Sequence, residues 1–464
     1  MTTYTPVASD LLDQLRAIVG ADNVSTAQAE IDLRAHDQGF HPPHSAEVIV
    51  WARTPQHVAD VLKLANDQRI PVTPWGVGTS LEGNPIPKHG GILLSLERMD
   101  QIIAVHPDDF QVTVQPGIPH KDLNAQLAQY GLFFPPDPGA NATIGGMLAN
   151  NAAGIRTVKY GASKDNVLAL QVALADGRLI RTGSRSIKQS AGYNLTQLFV
   201  GSEGTLGVIT EATLKLVPVA MHMSAMIVSF ETVEDAIEAV VAVRGSGIDV
   251  AALEYIDVTN TRALSQAGAT IDPYPTLLME VHSAHPDSMD HDIAIVRDIC
   301  EELACISFRA TSDNTERHTL WEARHQAYET LVRNHPDQKI FIMDVAVPIS
   351  RYPDLIQFAR ETIDAHGITG YMKGHAGDGN IHVELPFGDD ASFAQVKAVN
   401  EAIVLKAIEH GGTATGEHGV GIGKAAYMQA EHGGALDVMR EIKHLLDRNH
   451  ILNPGKVFPE ADDD

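Results

Sequence analysis

The spacing of apolar residues changes repeatedly between helical and strand periods, and the changes fall into two blocks. Residues 8–20 carry apolar side chains at helical spacing and predict a short amphipathic helix. From about Ala46, Val48–Trp51 reads as a strand, Pro55–Asn66 as a helix with proline in its first turn, and Pro71–Trp75 as a strand. Val167–Thr182 reads as a hairpin around Asp176-Gly177, and Ala212–Val217 as an apolar strand. A break follows near Pro218. Beyond it come a strand at Ser224–Phe230, a helix at Val233–Val243, a strand at Leu277–Val281 and a helix at Met289–Leu303. The alternation continues with strand Ile306–Ala310, helix Asn314–Arg333, strand Lys339–Val347 and helix Leu355–His366. Helices at 391–410 and 435–448 flank a glycine-rich loop, and the chain closes on the acidic tail Asp462–Asp464. Two α+β domains are expected, 1–219 (core from about 41) and 220–464, the second with an antiparallel sheet.

Within the second block, Gly374-His375-Ala376-Gly377-Asp378-Gly379-Asn380-Ile381-His382 carries the strongest local signal. Asp-Gly between short extended runs predicts a two-residue hairpin turn, since both central positions favour positive φ. That turn would pair Gly377 with Asn380, Ala376 with Ile381 and His375 with His382. Directly opposed side chains share a face, so the two imidazoles could grip one divalent metal. The plainer alternative is a surface hairpin bearing two unrelated histidines.

Four loops rich in small residues lie in the first block: Trp75–Gly83, Pro135–Gly139 running into Thr143–Met147, Lys159–Gly161, and Gly201–Gly207. Glycine lets backbone amides approach a phosphate closely, and Thr79 and Ser80 add hydroxyls. Leu81 stands where a dinucleotide fingerprint needs a third glycine, and no Gly-Lys-Ser/Thr follows. Together the loops suit an extended ligand such as FAD, and any one of them alone could be an ordinary turn.

Composition narrows the partners. With 44% hydrophobic and 20% charged residues the chain is of globular type, and its net charge of −25 disfavours nucleic acid and anionic membrane surfaces. An anionic substrate would need a local cation. Cys300 and Cys305 form no metal or redox signature and read as buried thiols. Met1–Gly20 lacks the features of a signal peptide, and no run is long enough to span a membrane. A cytoplasmic location is expected, with peripheral association at the inner membrane and homodimerisation left open.

Pro74–Gly83, Gly131–Pro138, Gly201–Thr210, Gly374–His382, Thr415-Gly416-Glu417-His418-Gly419 and Asn453-Pro454-Gly455-Lys456 occur in one order over residues 40–459. Together they resemble the FAD-linked D-2-hydroxyacid dehydrogenases of the vanillyl-alcohol oxidase fold, most closely the cytochrome-type D-lactate dehydrogenases. The resemblance implies an α+β protein: a two-subdomain FAD-binding domain of the PCMH type plus an α+β cap domain with an antiparallel sheet. It implies Gly76, Gly78, Thr79 and Ser80 at the pyrophosphate. It sets Asp137, Thr143, Gly145, Gly146, Gly207 and Ile209 along the cofactor, and Asn453 near the flavin ring. The pyrophosphate loop has no histidine or cysteine, so FAD is expected to be noncovalent. In the metal-dependent members His375, His382 and Glu417 hold the ion, here Zn or Mn. Such a set leaves positions for substrate oxygens.

His418 is then the candidate general base, its ordinary pKa of about 6.5 suiting proton removal near neutrality. The alternative makes His418 a ligand and Glu417 its orienting partner. Arg324 shares a projected helix face with Trp321, Tyr328 and Leu331, either buried against a protein carboxylate or aimed at a ligand; the resemblance favours the ligand. Asn380 is a second polar candidate. The related D-2-hydroxyglutarate dehydrogenases carry a lysine where this chain has Ile342, which favours a shorter substrate such as D-lactate. Electrons would pass to a separate acceptor (cytochrome, quinone or electron-transfer flavoprotein). A non-redox flavoenzyme of the same fold, related to alkylglycerone-phosphate synthase, and a noncatalytic flavin subunit are the other readings.

Overall fold

The computed structural model describes residues 3–459, so the tail Asp462–Asp464 lies outside the described residues. The chain forms two compact units: Met1–Ala153 with Gly161–Pro218 and Glu417–Asp464, and Gly154–Tyr160 with Val219–Gly416. No described helix is long and apolar enough to cross a membrane.

The first unit holds two sheets. In the four-stranded sheet, Val48–Trp51 and Val72–Trp75 both run parallel to Ile92–Ser95, and Val24–Ser25 adds an antiparallel edge. The crossover helix Pro55–Gln68 starts where its sequence requires. Thr54 Oγ1 accepts the His57 N–H at 3.1 Å, and Pro55 takes a position that has no N–H to lose. Its apolar face (Val58, Val61, Leu62, Ala65) packs into the cluster that contains Val48, Val50, Val72 and Leu94. The second sheet has five antiparallel strands in the order Ile102–His106, Gln111–Val114, Val208–Lys215, Val167–Ala173, Leu179–Gly183. The last two form the hairpin expected at Asp176-Gly177, with Gly177 at φ +84°.

The far end of the chain completes the first sheet. The Val72 N–H donates to Ile451 O at 2.7 Å and the Asn453 N–H to Val72 O at 2.8 Å, covering the otherwise open edge beside Val72–Trp75. Lys443, 7% exposed, fastens this segment. Its Nζ donates to Asp447 Oδ2 at 2.6 Å, Thr205 O at 2.7 Å and Leu452 O at 2.8 Å.

The second unit is built on a seven-stranded antiparallel sheet. Its order is Ser307–Thr311, His222–Ser229, Thr276–Ser283, Val250–Ile256, Tyr371–Gly374, Asn380–Phe387, Lys339–Ala346. The Asn380–Phe387 strand alternates strictly: Asn380, His382 and Glu384 point to one face, Ile381, Val383 and Leu385 to the other, and all six are buried. The apolar cluster Ala225, Ile227, Ile256 and Leu278 packs under Leu264, Leu320 and Ala327, which puts three helices over this face. One of the expected helices is two. Asn314–His325 and Ala327–Asn334 meet at Gln326 (φ −75°, ψ −7°), a bend without glycine or proline that lets Leu320 and Ala327 reach the same cluster.

Lys443→Ala is expected to leave Asp447 as a buried charge without its counter-ion, costing the first unit about 3–5 kcal/mol. Urea unfolding followed by circular dichroism reads this; a midpoint equal to that of the parent would show that Lys443 carries no such weight.

Candidate functional site

In the first unit the Val72–Trp75 strand delivers the chain into a groove whose walls are mostly backbone. Gly76, Gly78, Thr79 and Ser80 line it, with Thr143, Gly145 and Gly146 opposite and Gly207, Ile209 and Asn453 completing it. Asp137 is not among the lining residues, although its neighbour Pro138 is. The glycines are required by close approach. A Cβ on Gly76 would sit 2.5 Å from Thr143 Oγ1, and one on Gly145 would sit 2.5 Å from Pro116 Cβ. Gly78 has φ +69°, and its Cβ would press 2.5 Å from the Trp75 ring.

Among the described residues no lysine or arginine lines this groove. A diphosphate would therefore be met by amide N–H groups and the Thr79 and Ser80 hydroxyls rather than by side-chain cations. Asn84 lines the same groove, and its Oδ1 is buried with no hydrogen-bond partner among the described residues. A glycine-walled groove closed to larger side chains, with an unsatisfied acceptor on a lining residue, fits FAD. Glu417 and His418 also line this groove, their side chains 12% and 14% exposed and 4.0 Å apart at Glu417 Oε1 and His418 Nε2.

In the second unit the polar face of the sheet carries the other candidates. The expected two-residue turn is not formed. Ala376–Asp378 make a 3-10 turn closed by Gly379 at φ +72°, and His375 O accepts the N–H groups of Asp378 and Asn380. Lys373, not His375, is the register partner of His382. The histidines are instead diagonal neighbours on one face, with ring centroids 5.4 Å apart and planes at 84°. A four-residue loop in place of the turn moves each pairing by two positions and preserves the face, so the expected juxtaposition survives the wrong register.

His375 is fixed by Glu254, a residue the sequence reading missed. Glu254 is fully buried; its Oε1 lies 2.5 Å from His375 Nδ1 and its Oε2 accepts Arg324 Nε at 2.9 Å. Burial alone would push this carboxyl up, but His375 and Arg324 beside it hold it below the usual carboxylate range. With Nδ1 engaged, His375 offers Nε2 as a ligand atom, the arrangement that orients metal-binding imidazoles. Arg324 is thus the protein-paired alternative at its Nε, while Nη1 and Nη2 have no protein acceptor among the described residues. Of its expected helix-face companions, Leu331 is buried but Tyr328 is 39% exposed.

Asn380 is also tied in: its Nδ2 donates to Asp344 Oδ1 at 2.6 Å and Val345 O at 3.0 Å, leaving a buried Oδ1 without a partner. Asp344 Oδ1 lies 3.5 Å from His382 Nε2, and Thr415 Oγ1 donates to Asp344 Oδ2 at 3.0 Å. The ligand atoms of His375 and His382 lie within 4.8 Å of one another, and two imidazoles so placed fit a borderline divalent ion such as Zn or Mn. Glu417 belongs to the first unit and is joined through Gly416 to the second. The missed signal was the run Val250–Ile256, all apolar but for one glutamate, which marks a buried strand with a single carboxylate to satisfy.

The family described as "FAD linked oxidases, C-terminal domain" matches residues 220–457, and "FAD binding domain" matches residues 46–183. The probable mitochondrial D-lactate dehydrogenase of Danio rerio is 37% identical over 461 residues, 98% of this chain and 93% of that protein. The chain belongs to the FAD-linked D-2-hydroxyacid dehydrogenases. The mitochondrial D-lactate dehydrogenase [cytochrome] of Arabidopsis thaliana is likewise 37% identical, covering 98% of this chain and 81% of that protein. p-Cresol methylhydroxylase, solved with substrate bound, has a TM-score of 0.83 at 17% identity over 100% of both chains, and shares the fold. The dehydrogenase is therefore an FAD-dependent enzyme of α+β, PCMH-type architecture.

Gly78→Val should force Trp75 or the loop to move, at about 1–3 kcal/mol. FAD affinity, read by quenching of flavin fluorescence on titration, should fall roughly 5- to 150-fold. Unaltered affinity would mean that the cofactor does not depend on this loop.

Proposed function

We propose that this enzyme oxidises D-lactate to pyruvate and passes the electrons to a separate acceptor, a cytochrome by analogy with its plant relative. The observation that carries this reading is near-full-length similarity to D-lactate dehydrogenases, on a chain with an FAD-shaped groove and an oriented histidine pair. Gly76 to Ser80 and the loops opposite would hold noncovalent FAD, whose chemistry there is to accept hydride from the substrate's C2. His375, His382 and Glu417 would hold the divalent ion, whose chemistry is to stabilise the forming alkoxide as a Lewis acid.

The chain's own groups do the rest. His418 takes the hydroxyl proton. Arg324, held at Nε by Glu254, presents its two terminal nitrogens to the substrate carboxylate as a fork. Asn380 Oδ1 accepts from the substrate or a bound water. The substrate's short side chain suits the surroundings. Ile342 pairs in register with Glu384, and Lys373, the nearby cation, has Nζ 2.5 Å from Glu384 Oε1. A distal carboxylate would find that charge already neutralised, which disfavours 2-hydroxyglutarate.

Anaerobic mixing with D-lactate should bleach the flavin band, and glycolate or D-2-hydroxyglutarate should bleach it more slowly. His375→Ala and His382→Ala should retain FAD yet lose bleaching, as should the parent after metal stripping. Undiminished turnover without metal would end the Lewis-acid reading. Arg324→Ala should raise KM by about 10- to 100-fold; a variant with the parent's KM and kcat would make Arg324 purely structural.

A further inference from the structure

Two non-glycine residues in the wall of the flavin groove have left-handed backbones, Glu203 at φ +51° and Asn453 at φ +41°. Such backbones cost roughly 1–3 kcal/mol and persist only where surroundings over-determine them. The two are bonded together: Asn453 Nδ2 donates to Glu203 O at 2.7 Å and to Asn84 O at 3.0 Å. The Glu203 N–H is itself fixed to Ala149 O at 2.9 Å.

The Glu203 side chain, in a residue only 5% exposed, turns toward the loop that carries Glu417 and His418. Oε1 accepts the Val420 N–H at 2.7 Å, and Oε2 accepts the Gly421 N–H at 2.8 Å and Asn84 Nδ2 at 2.6 Å. Gly419, at φ +82°, passes so near that a Cβ there would lie 2.8 Å from Asn84 Nδ2 and 3.0 Å from Glu203 Oε1. Asn150 Nδ2 holds His418 O at 3.2 Å. Burial holds the Glu203 carboxyl above the usual carboxylate range, although the two backbone N–H groups and Asn84 pull against it.

We infer that Glu203 is a positioning residue that couples the flavin groove to the placement of His418. Only a carboxylate offers acceptors alone to three converging donors; a glutamine would turn an NH₂ against one of them. Because one residue joins the groove wall through its backbone and the base loop through its side chain, a disturbed base loop should weaken cofactor binding, and by linkage the reverse. The inference rests on His418 acting as the base in the proposed oxidation.

The test is Glu203→Gln, with FAD affinity by titration, and the rate constant of flavin reduction and substrate Kd by stopped flow. A displaced base should slow reduction by roughly 10- to 100-fold. Substrate Kd should change little, and FAD should bind more weakly. A merely structural role would not separate the reduction rate from substrate Kd in this way, and parent-like reduction and FAD affinity would overturn the inference. Should the variant fail to fold or to bind FAD, Asn84→Ala removes one of the three donors and should show the same pattern more weakly; a parent-like Asn84→Ala would then overturn it. The two readings fail separately. A parent enzyme whose flavin no D-2-hydroxy acid bleaches refutes the oxidation, whereas a bleached parent with an indistinguishable Glu203→Gln refutes only the coupling.

Discussion

The candidate site of the second unit hangs on one fully buried carboxylate. Glu254 lies mid-strand in an antiparallel sheet, where an unpaired charge would be prohibitive, and it survives because His375 and Arg324 both reach it. One anion thereby fixes the tautomer and ring direction of a candidate metal ligand and the stem of a candidate substrate-binding cation. The polar alternation of the neighbouring strand follows the same logic. Asn380, His382 and Glu384 occupy a buried face only because Asp344 and Lys373 stand beside them.

The two units meet negative ligands in different ways, which resolves the tension posed by a net charge of −25. Among the described residues no lysine or arginine lines the groove of the first unit, which leaves backbone groups and the Thr79 and Ser80 hydroxyls to meet a phosphate. The second unit uses full cations paired with protein carboxylates: Arg324 with Glu254, Lys373 with Glu384 and, at 3.8 Å, Arg317 with Glu280. An anionic substrate of the proposed kind would meet groups already held in place.

Much of this was legible in the sequence, for physical reasons. Glycine loops announce themselves because Gly76, Gly78 and Gly145 admit no Cβ, and ten of the eleven expected cofactor residues line the groove, Asp137 being the exception. The histidine pair was legible as a shared face but not as a register, since a four-residue loop and a two-residue turn put the same residues on that face. Glu254 was hidden in a strand that reads as plain apolar core. The bend at Gln326 was hidden because no glycine or proline marks it. Glu203 sits in one of the four small-residue loops, and its side-chain partners Val420 and Gly421 lie more than two hundred residues away.

The strand-like pairing of Ile451–Asn453 with Val72 has a consequence for biosynthesis. Every residue of the second unit is synthesised before the last wall of the flavin groove exists, because that wall includes Asn453. The second unit can finish folding on the ribosome while the first waits, its sheet edge open, for a segment some 380 residues downstream of Val72 (453 − 72 = 381). A nascent chain that has reached only Gly416 therefore lacks Asn453 from the groove lining and the partner segment for Val72.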